Sequence, residues 1–167
     1  MKYILLTLFV AFSFIADVKA QSDFAEWNKN YPKVDILKVL NWEQHYADSI
    51  DATKGKREYY TRFDKYSFSA TYLGEKRTID SKVMKSMGNV FKLFGGDASQ
   101  LNSMVENEYL FQVGELTFWA PIQKQLEKPL KKEVKKGATA TLYCLFLNEH
   151  SSNGLFNTLL ISEFNKN

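Results

Sequence analysis

Residues 66–72 read YSFSATY, in which large apolar side chains alternate with small polar ones. A period of two places successive side chains on opposite faces of a strand, so one face of this segment is expected to be buried. The four residues that follow, LGEK, carry Gly74 at the first central position of a two-residue turn, which favours a type II′ hairpin. The stretch therefore predicts a β-hairpin with residues 76–79 as its return strand.

Two further hairpins are predicted along the chain. In residues 108–119, Gly114 and Glu115 lie between two apolar segments. In residues 138–164, two longer apolar segments flank a polar loop at 148–154. Consecutive hairpins favour antiparallel pairing. We therefore expect an α+β fold with a curved antiparallel sheet of about six strands in three hairpins. Helices would pack on one side, and the sheet would be open or partly closed into a barrel or cone.

Helical spacing separates the predicted hairpins. Trp42 and Tyr46 extend the apolar stripe of the first predicted helix. In the last predicted helix, Pro121 fits the first turn, while Pro129 predicts a kink or two short helices. A turn is expected at Gly55. The predicted helices cover about residues 34–50, 81–94, 97–106 and 121–136.

Residues 1–20 have the three zones of a secretory signal peptide. Lys2 gives a positive start, residues 3–15 are almost entirely apolar, and the segment Val18-Lys19-Ala20 places small residues where a signal peptidase cleaves. The apolar run is shorter than the roughly 20 residues that a membrane-spanning helix needs. The sequence therefore predicts export to the periplasm or the medium, with no integral membrane segment left after cleavage.

Cleavage would leave residues 21–167 as a single globular domain, in which residues 21–31 would be a loosely ordered arm. A formal net charge of +3 for the whole chain gives no case for nucleic acid, which usually requires a strongly basic face. Cys144 is the only cysteine, so an internal disulfide is impossible. Its apolar neighbours predict a buried thiol.

The sequence assigns no catalytic residue, metal ligand or cofactor. It contains no zinc-protease helix motif, phosphate-binding glycine loop or nucleophile elbow. One enzymatic alternative is left open, a small hydrolase or isomerase that would use His45, Glu149 or His150 in a cone-shaped pocket. That alternative requires the three side chains to face one cavity.

Aromatic residues give the clearest indication of function, since they make up 15% of the chain. Rings at the mouth of a sheet can line a site for apolar or sugar ligands, although the same rings could simply fill the core. The leading hypothesis is an exported, non-enzymatic protein that binds a small ligand or an envelope protein through an aromatic-lined sheet or cleft. An envelope inhibitor or immunity-type protein is the other alternative, and it predicts an exposed apolar patch. The predicted binding residues are Tyr59, Tyr60, Phe63, Tyr72, Trp119 and His150.

The C-terminal third of the chain carries residues that match a pattern seen in other proteins. It includes the segment Phe118-Trp119-Ala120-Pro121-Ile122-Gln123, Lys132-Glu133 with Gly137, Leu142-Tyr143, and Ser162-Glu163-Phe164. This pattern resembles small exported bacterial proteins of uncharacterised function. The resemblance implies no activity, and no functional residue is carried over from it.

Overall fold

The structure, a computed structural model, describes residues 24–53 and 59–167. Within these ranges the chain forms five helices and five strands, which confirms the α+β class. The predicted signal peptide and the turn at Gly55 lie outside the described residues. In chain order the elements are α1 Phe24–Asn30, α2 Ile36–Asp51, β1 Tyr60–Thr78, α3 Ser81–Leu93, α4 Ala98–Met104, β2 Val105–Val113, β3 Leu116–Gln123, α5 Lys124–Glu133, β4 Thr139–Ser151 and β5 Gly154–Lys166.

The five strands close into a ring in the order β1-β2-β3-β5-β4, and β4 pairs back onto β1. Four of the five interfaces are antiparallel, whereas β3 and β5 run parallel and pair at Ile122 and Ile161. The sheet is therefore mixed and has five strands, instead of the six antiparallel strands expected.

The hairpin predicted around Gly74 is wrong, because β1 continues through it. The N-terminal part of β1 pairs with β4 and its C-terminal part with β2, and the register shifts between Tyr72 and Lys76. Gly74 lies in this irregular segment with a φ of 79°. A glycine with positive φ serves a β-bulge as well as a turn, and a bulge bends the strand. Here the irregularity lies within the pairing of β1 with β2, just after the pairing with β4 ends at Thr71.

The turn at Gly114 is confirmed, with a φ of 58° between β2 and β3. The loop predicted at 148–154 is wrong, because β4 extends to Ser151 and only two residues separate it from Gly154. The polar residues at the end of β4 pair with β1 on one side and β5 on the other. Two flanking strands satisfy their backbone groups, which keeps a polar segment in the sheet.

The helix predicted from Pro121 begins later, at Lys124. Pro121 instead belongs to β3, opposite Glu108 on β2. A proline is tolerated in a strand where its missing N–H is not needed for a ladder hydrogen bond. Pro129 lies inside α5, which continues through it as one helix rather than two.

The described part of the predicted arm is the helix α1. Its Phe24 and Trp27 rings lie 5.8 and 5.6 Å from the ring of Tyr143 on β4. The Tyr143 hydroxyl also donates a hydrogen bond to Asn28 Oδ1 over 2.9 Å. Aromatic packing of this kind orders a polar segment that lacks an apolar stripe.

Helices pack on both faces of the sheet, instead of the single side expected. Ile36 of α2 and Leu130 of α5 belong to the main core inside the ring, together with Phe146 of β4. Met87 of α3 packs in a second core with Leu147, the next residue of β4. Successive strand residues face opposite ways, so the two cores lie on opposite faces.

Candidate functional site

Four side chains from β1 and β4 meet at one end of the ring. Tyr60 is the cross-strand partner of His150, and Arg62 that of Asn148. The two β1 residues are two positions apart, and so are the two β4 residues. All four side chains therefore project from the same face. Helix α2 lies against this end of the ring and contributes the buried carboxylate of Glu43.

A buried ion pair organises this end of the ring. Only 3% of the Glu43 side chain is exposed, and its Oε1 lies 3.1 Å from Arg62 Nε. Its Oε2 accepts a hydrogen bond from the Tyr60 hydroxyl over 3.2 Å. Burial raises the pKa of Glu43, and the charge of Arg62 opposes that rise. Burial and the adjacent carboxylate raise the pKa of Tyr60 to about 12, so Tyr60 stays protonated and keeps donating to Glu43 at neutral pH.

Aromatic rings surround the ion pair and reach the surface. Trp42 and Tyr46 stack one helical turn apart, with centroids at 5.1 Å and planes 11° apart. The Arg62 guanidinium lies 4.4 Å from the centre of the Trp42 ring, within cation–π range. Trp42 and Tyr59 are each 50% exposed. We refer to the whole assembly as the Arg62 cluster: Trp42, Glu43, Tyr46, Tyr59, Tyr60, Arg62, Asn148 and His150.

Three buried polar atoms of the Arg62 cluster lack a hydrogen-bond partner among the described residues: Arg62 Nε, whose contact with Glu43 Oε1 is an ion pair, Asn148 Oδ1 and His150 Nδ1. His150 Nε2 lies 3.2 Å from Asp51 Oδ1, whereas His150 Nδ1 has no hydrogen-bond partner within residues 24–53 and 59–167. The Asn148 amide donates to Asn157 Oδ1 over 2.7 Å, and its own oxygen likewise lacks a described partner. A buried polar atom without a partner costs about 1–3 kcal/mol. Such atoms are uncommon in a purely structural core.

Three of the six predicted binding residues come together here, namely Tyr59, Tyr60 and His150. Their rings are neighbours, since His150 lies 6.1 Å from Tyr59 and 5.2 Å from Tyr60 between centroids. The structure therefore assembles half of the predicted set at the mouth of the ring.

The other three predicted residues lie elsewhere. Phe63 packs against Phe94 on the side of α3, because an odd-numbered position of β1 faces away from Tyr60 and Arg62. Tyr72 is buried in the main core, and Trp119 lies 4.2 Å from the guanidinium of Arg77.

The sequence pattern missed the part of the Arg62 cluster that α2 and Arg62 contribute. It placed Trp42 and Tyr46 in the buried stripe of the first helix, and it did not single out Glu43 or Arg62. The spacing of Tyr60 and Arg62, two positions apart on one strand, is the signal that could have linked Arg62 to the predicted Tyr60.

The residues of the enzymatic alternative do not converge. His45 is exposed on α2, while Glu149 faces away from His150 and accepts a hydrogen bond from Asn89 over 2.8 Å. Cys144 is buried, and burial raises its thiol pKa, which disfavours the nucleophilic thiolate. Among the described residues, no three His, Cys, Asp or Glu side chains come together as a metal site would require.

No protein-family model matches the chain, and the searches of characterised proteins and of solved structures found no significant similarity either. Within the part of the chain that the structure describes, every helix is too short or too polar to cross a bilayer.

Proposed function

We propose that the protein is an exported, non-catalytic binding protein that engages another envelope protein through the Arg62 cluster. The observation that carries the proposal is the half-exposed Trp42–Tyr46 stack, held in place by Arg62 on the buried carboxylate of Glu43. Trp, Tyr and Arg are the residues that dominate binding energy at protein interfaces. Here all three types lie side by side at one surface.

The anchoring of the rings favours a protein partner. Burying a flexible side chain at an interface costs about 0.5–1.5 kcal/mol of conformational entropy. The Trp42 ring, stacked on Tyr46 and covered by Arg62, has already lost much of that freedom. Asp51 lies exposed at the C-terminal end of α2, with its Oδ1 3.2 Å from the Nε2 of His150. We therefore expect the partner surface to be apolar opposite the rings and to carry a basic group near Asp51.

Export is supported by the pattern of residues 1–20. We expect the exported protein to begin at Gln21, which N-terminal sequencing and intact mass would show after expression of the full chain. Ala20→Tyr should block cleavage, because a signal peptidase requires a small residue there. Ser22→Ala, placed just beyond the cleavage site, should not affect it. Retention of the intact chain in the cytoplasm would contradict the proposal.

Trp42→Ala should weaken partner binding by about 30-fold or more, as loss of an interface hot spot does. Wild type and variant would be immobilised, exposed to an envelope extract of the native cell, and compared by quantitative mass spectrometry. The partner's affinity for each form would then be measured. Leu93→Ala is the matched control, because Leu93 is an apolar side chain on α3 with 67% exposure. Equal retention of every protein by all three forms would contradict the proposal.

A further inference from the structure

A second polar site lies on the other face of the sheet from the Arg62 cluster. A half-open pocket of about 250 Å³ lies between α3 and the β4–β5 hairpin. None of its lining residues belongs to the Arg62 cluster, so the two sites are separate. The lining residues are Lys82, Lys85, Ser86, Asn89, Glu149, Asn153 and Phe156.

Ser86 gives the pocket an unused polar group. Its side chain is 2% exposed, and its hydroxyl has no hydrogen-bond partner among the described residues. Buried hydroxyls are usually hydrogen-bonded, and a serine inside a helix can bond to a carbonyl one turn earlier. Ser86 lines the pocket, so its unpartnered hydroxyl lies beside the space that a ligand would fill.

The charges around the pocket favour an anion that carries hydroxyl groups. Lys82 and Lys85 face one acidic lining residue, Glu149, which leaves a net positive wall. The Asn89 amide donates to Glu149 Oε1 over 2.8 Å and so orients the carboxylate. A carboxylate at neutral pH accepts hydrogen bonds and donates none, so Glu149 favours ligand groups that donate.

We propose that this pocket binds a small hydroxylated carboxylate of the uronic acid class. The ligand carboxylate would pair with Lys82 and Lys85, its hydroxyls would bond to Ser86 and Glu149, and its C–H face would pack on the Phe156 ring. The pocket is smaller than the roughly 300–1,000 Å³ of sites for drug-sized ligands, which suits one monosaccharide. A zwitterionic amino acid carries no net charge and matches the positive wall less well.

Isothermal titration of the purified protein with glucuronate tests this site, with glucose and serine as comparison ligands. We expect saturable binding of glucuronate with a Kd of about 1 mM, as the efficiency of small ligands allows. Glucose, which lacks the carboxylate, should bind at least about tenfold more weakly. Absence of saturable glucuronate binding, or tighter binding of glucose or serine, would overturn the proposal.

Variants locate the binding on the molecule. Lys85→Gln should weaken glucuronate binding by about tenfold, the effect of losing one charge-assisted contact. Lys92→Gln removes the same charge from the same helix but lies outside the pocket, so it should bind glucuronate as wild type does. Thermal unfolding would confirm that both variants fold. Equal weakening by both would show non-specific attraction and overturn the site. Trp42→Ala should leave glucuronate binding unchanged, so this site can fail or succeed independently of the partner surface.

Discussion

Phe111→Ala is expected to lower the free energy of unfolding by about 3–5 kcal/mol, the range for truncating a large aromatic side chain in a core. Phe111 is fully buried inside the ring of strands. Its ring lies 5.5 Å from that of Tyr72 and stacks on that of Phe118 at 6.2 Å. Because these two neighbours belong to different strands, β1 and β3, the strands can close only partly around the cavity left behind. Denaturant unfolding followed by circular dichroism measures the loss.

Phe94→Ala is the control, since it removes the same side chain from a residue that is 52% exposed. The ring of Phe94 lies 5.5 Å from that of Phe63. We expect a loss of about 1 kcal/mol or less, as is usual at the surface. Similar losses for the two variants would show that the interior of the ring does not dominate stability.

Strand character was predictable from the sequence, but strand partners were not. The alternation at residues 66–72 correctly indicates a strand with one buried face. Gly74 then fits a turn and a bulge equally well, because both use a positive φ. Local sequence offers no choice between them. The decision depends on β2 and β4, which come much later in the chain and pair with the two parts of β1.

Polarity misled the prediction at the end of β4. Asn148 and His150 resemble loop residues, yet both are buried between two neighbouring strands. The reverse error concerns Trp42, an apolar residue expected in the core that lies half-exposed beside Arg62. Both errors fall at the Arg62 cluster. Local preference commonly fails at sites where function and stability compete.

Arg62→Met is expected to lower the free energy of unfolding by about 3 kcal/mol at neutral pH, because it leaves the buried Glu43 carboxylate without its partner. This value is the low end of the range for a broken buried pair, since 36% of the Arg62 side chain is exposed. The double variant Glu43→Gln with Arg62→Met should regain much of the loss, because a neutral amide costs less to bury than an unpaired charge. Chemical denaturation of the three proteins measures both effects.

The loss of unfolding free energy in Arg62→Met should also depend on pH. Burial already raises the pKa of Glu43 above its unfolded value, and loss of the opposing Arg62 charge raises it further. A carboxyl group whose pKa is higher in the native than in the unfolded state binds its proton more tightly in the native state. The native state therefore gains stability as pH falls through the native pKa towards the unfolded pKa of about 4.3, and it loses that stability as pH rises again. The gap between Arg62→Met and wild type should therefore narrow on acidification from pH 7, whereas the double variant, which lacks the carboxylate, should show no such narrowing. A gap that stays constant over this range would mean that Arg62 stabilises the fold by packing on Trp42 rather than by neutralising Glu43.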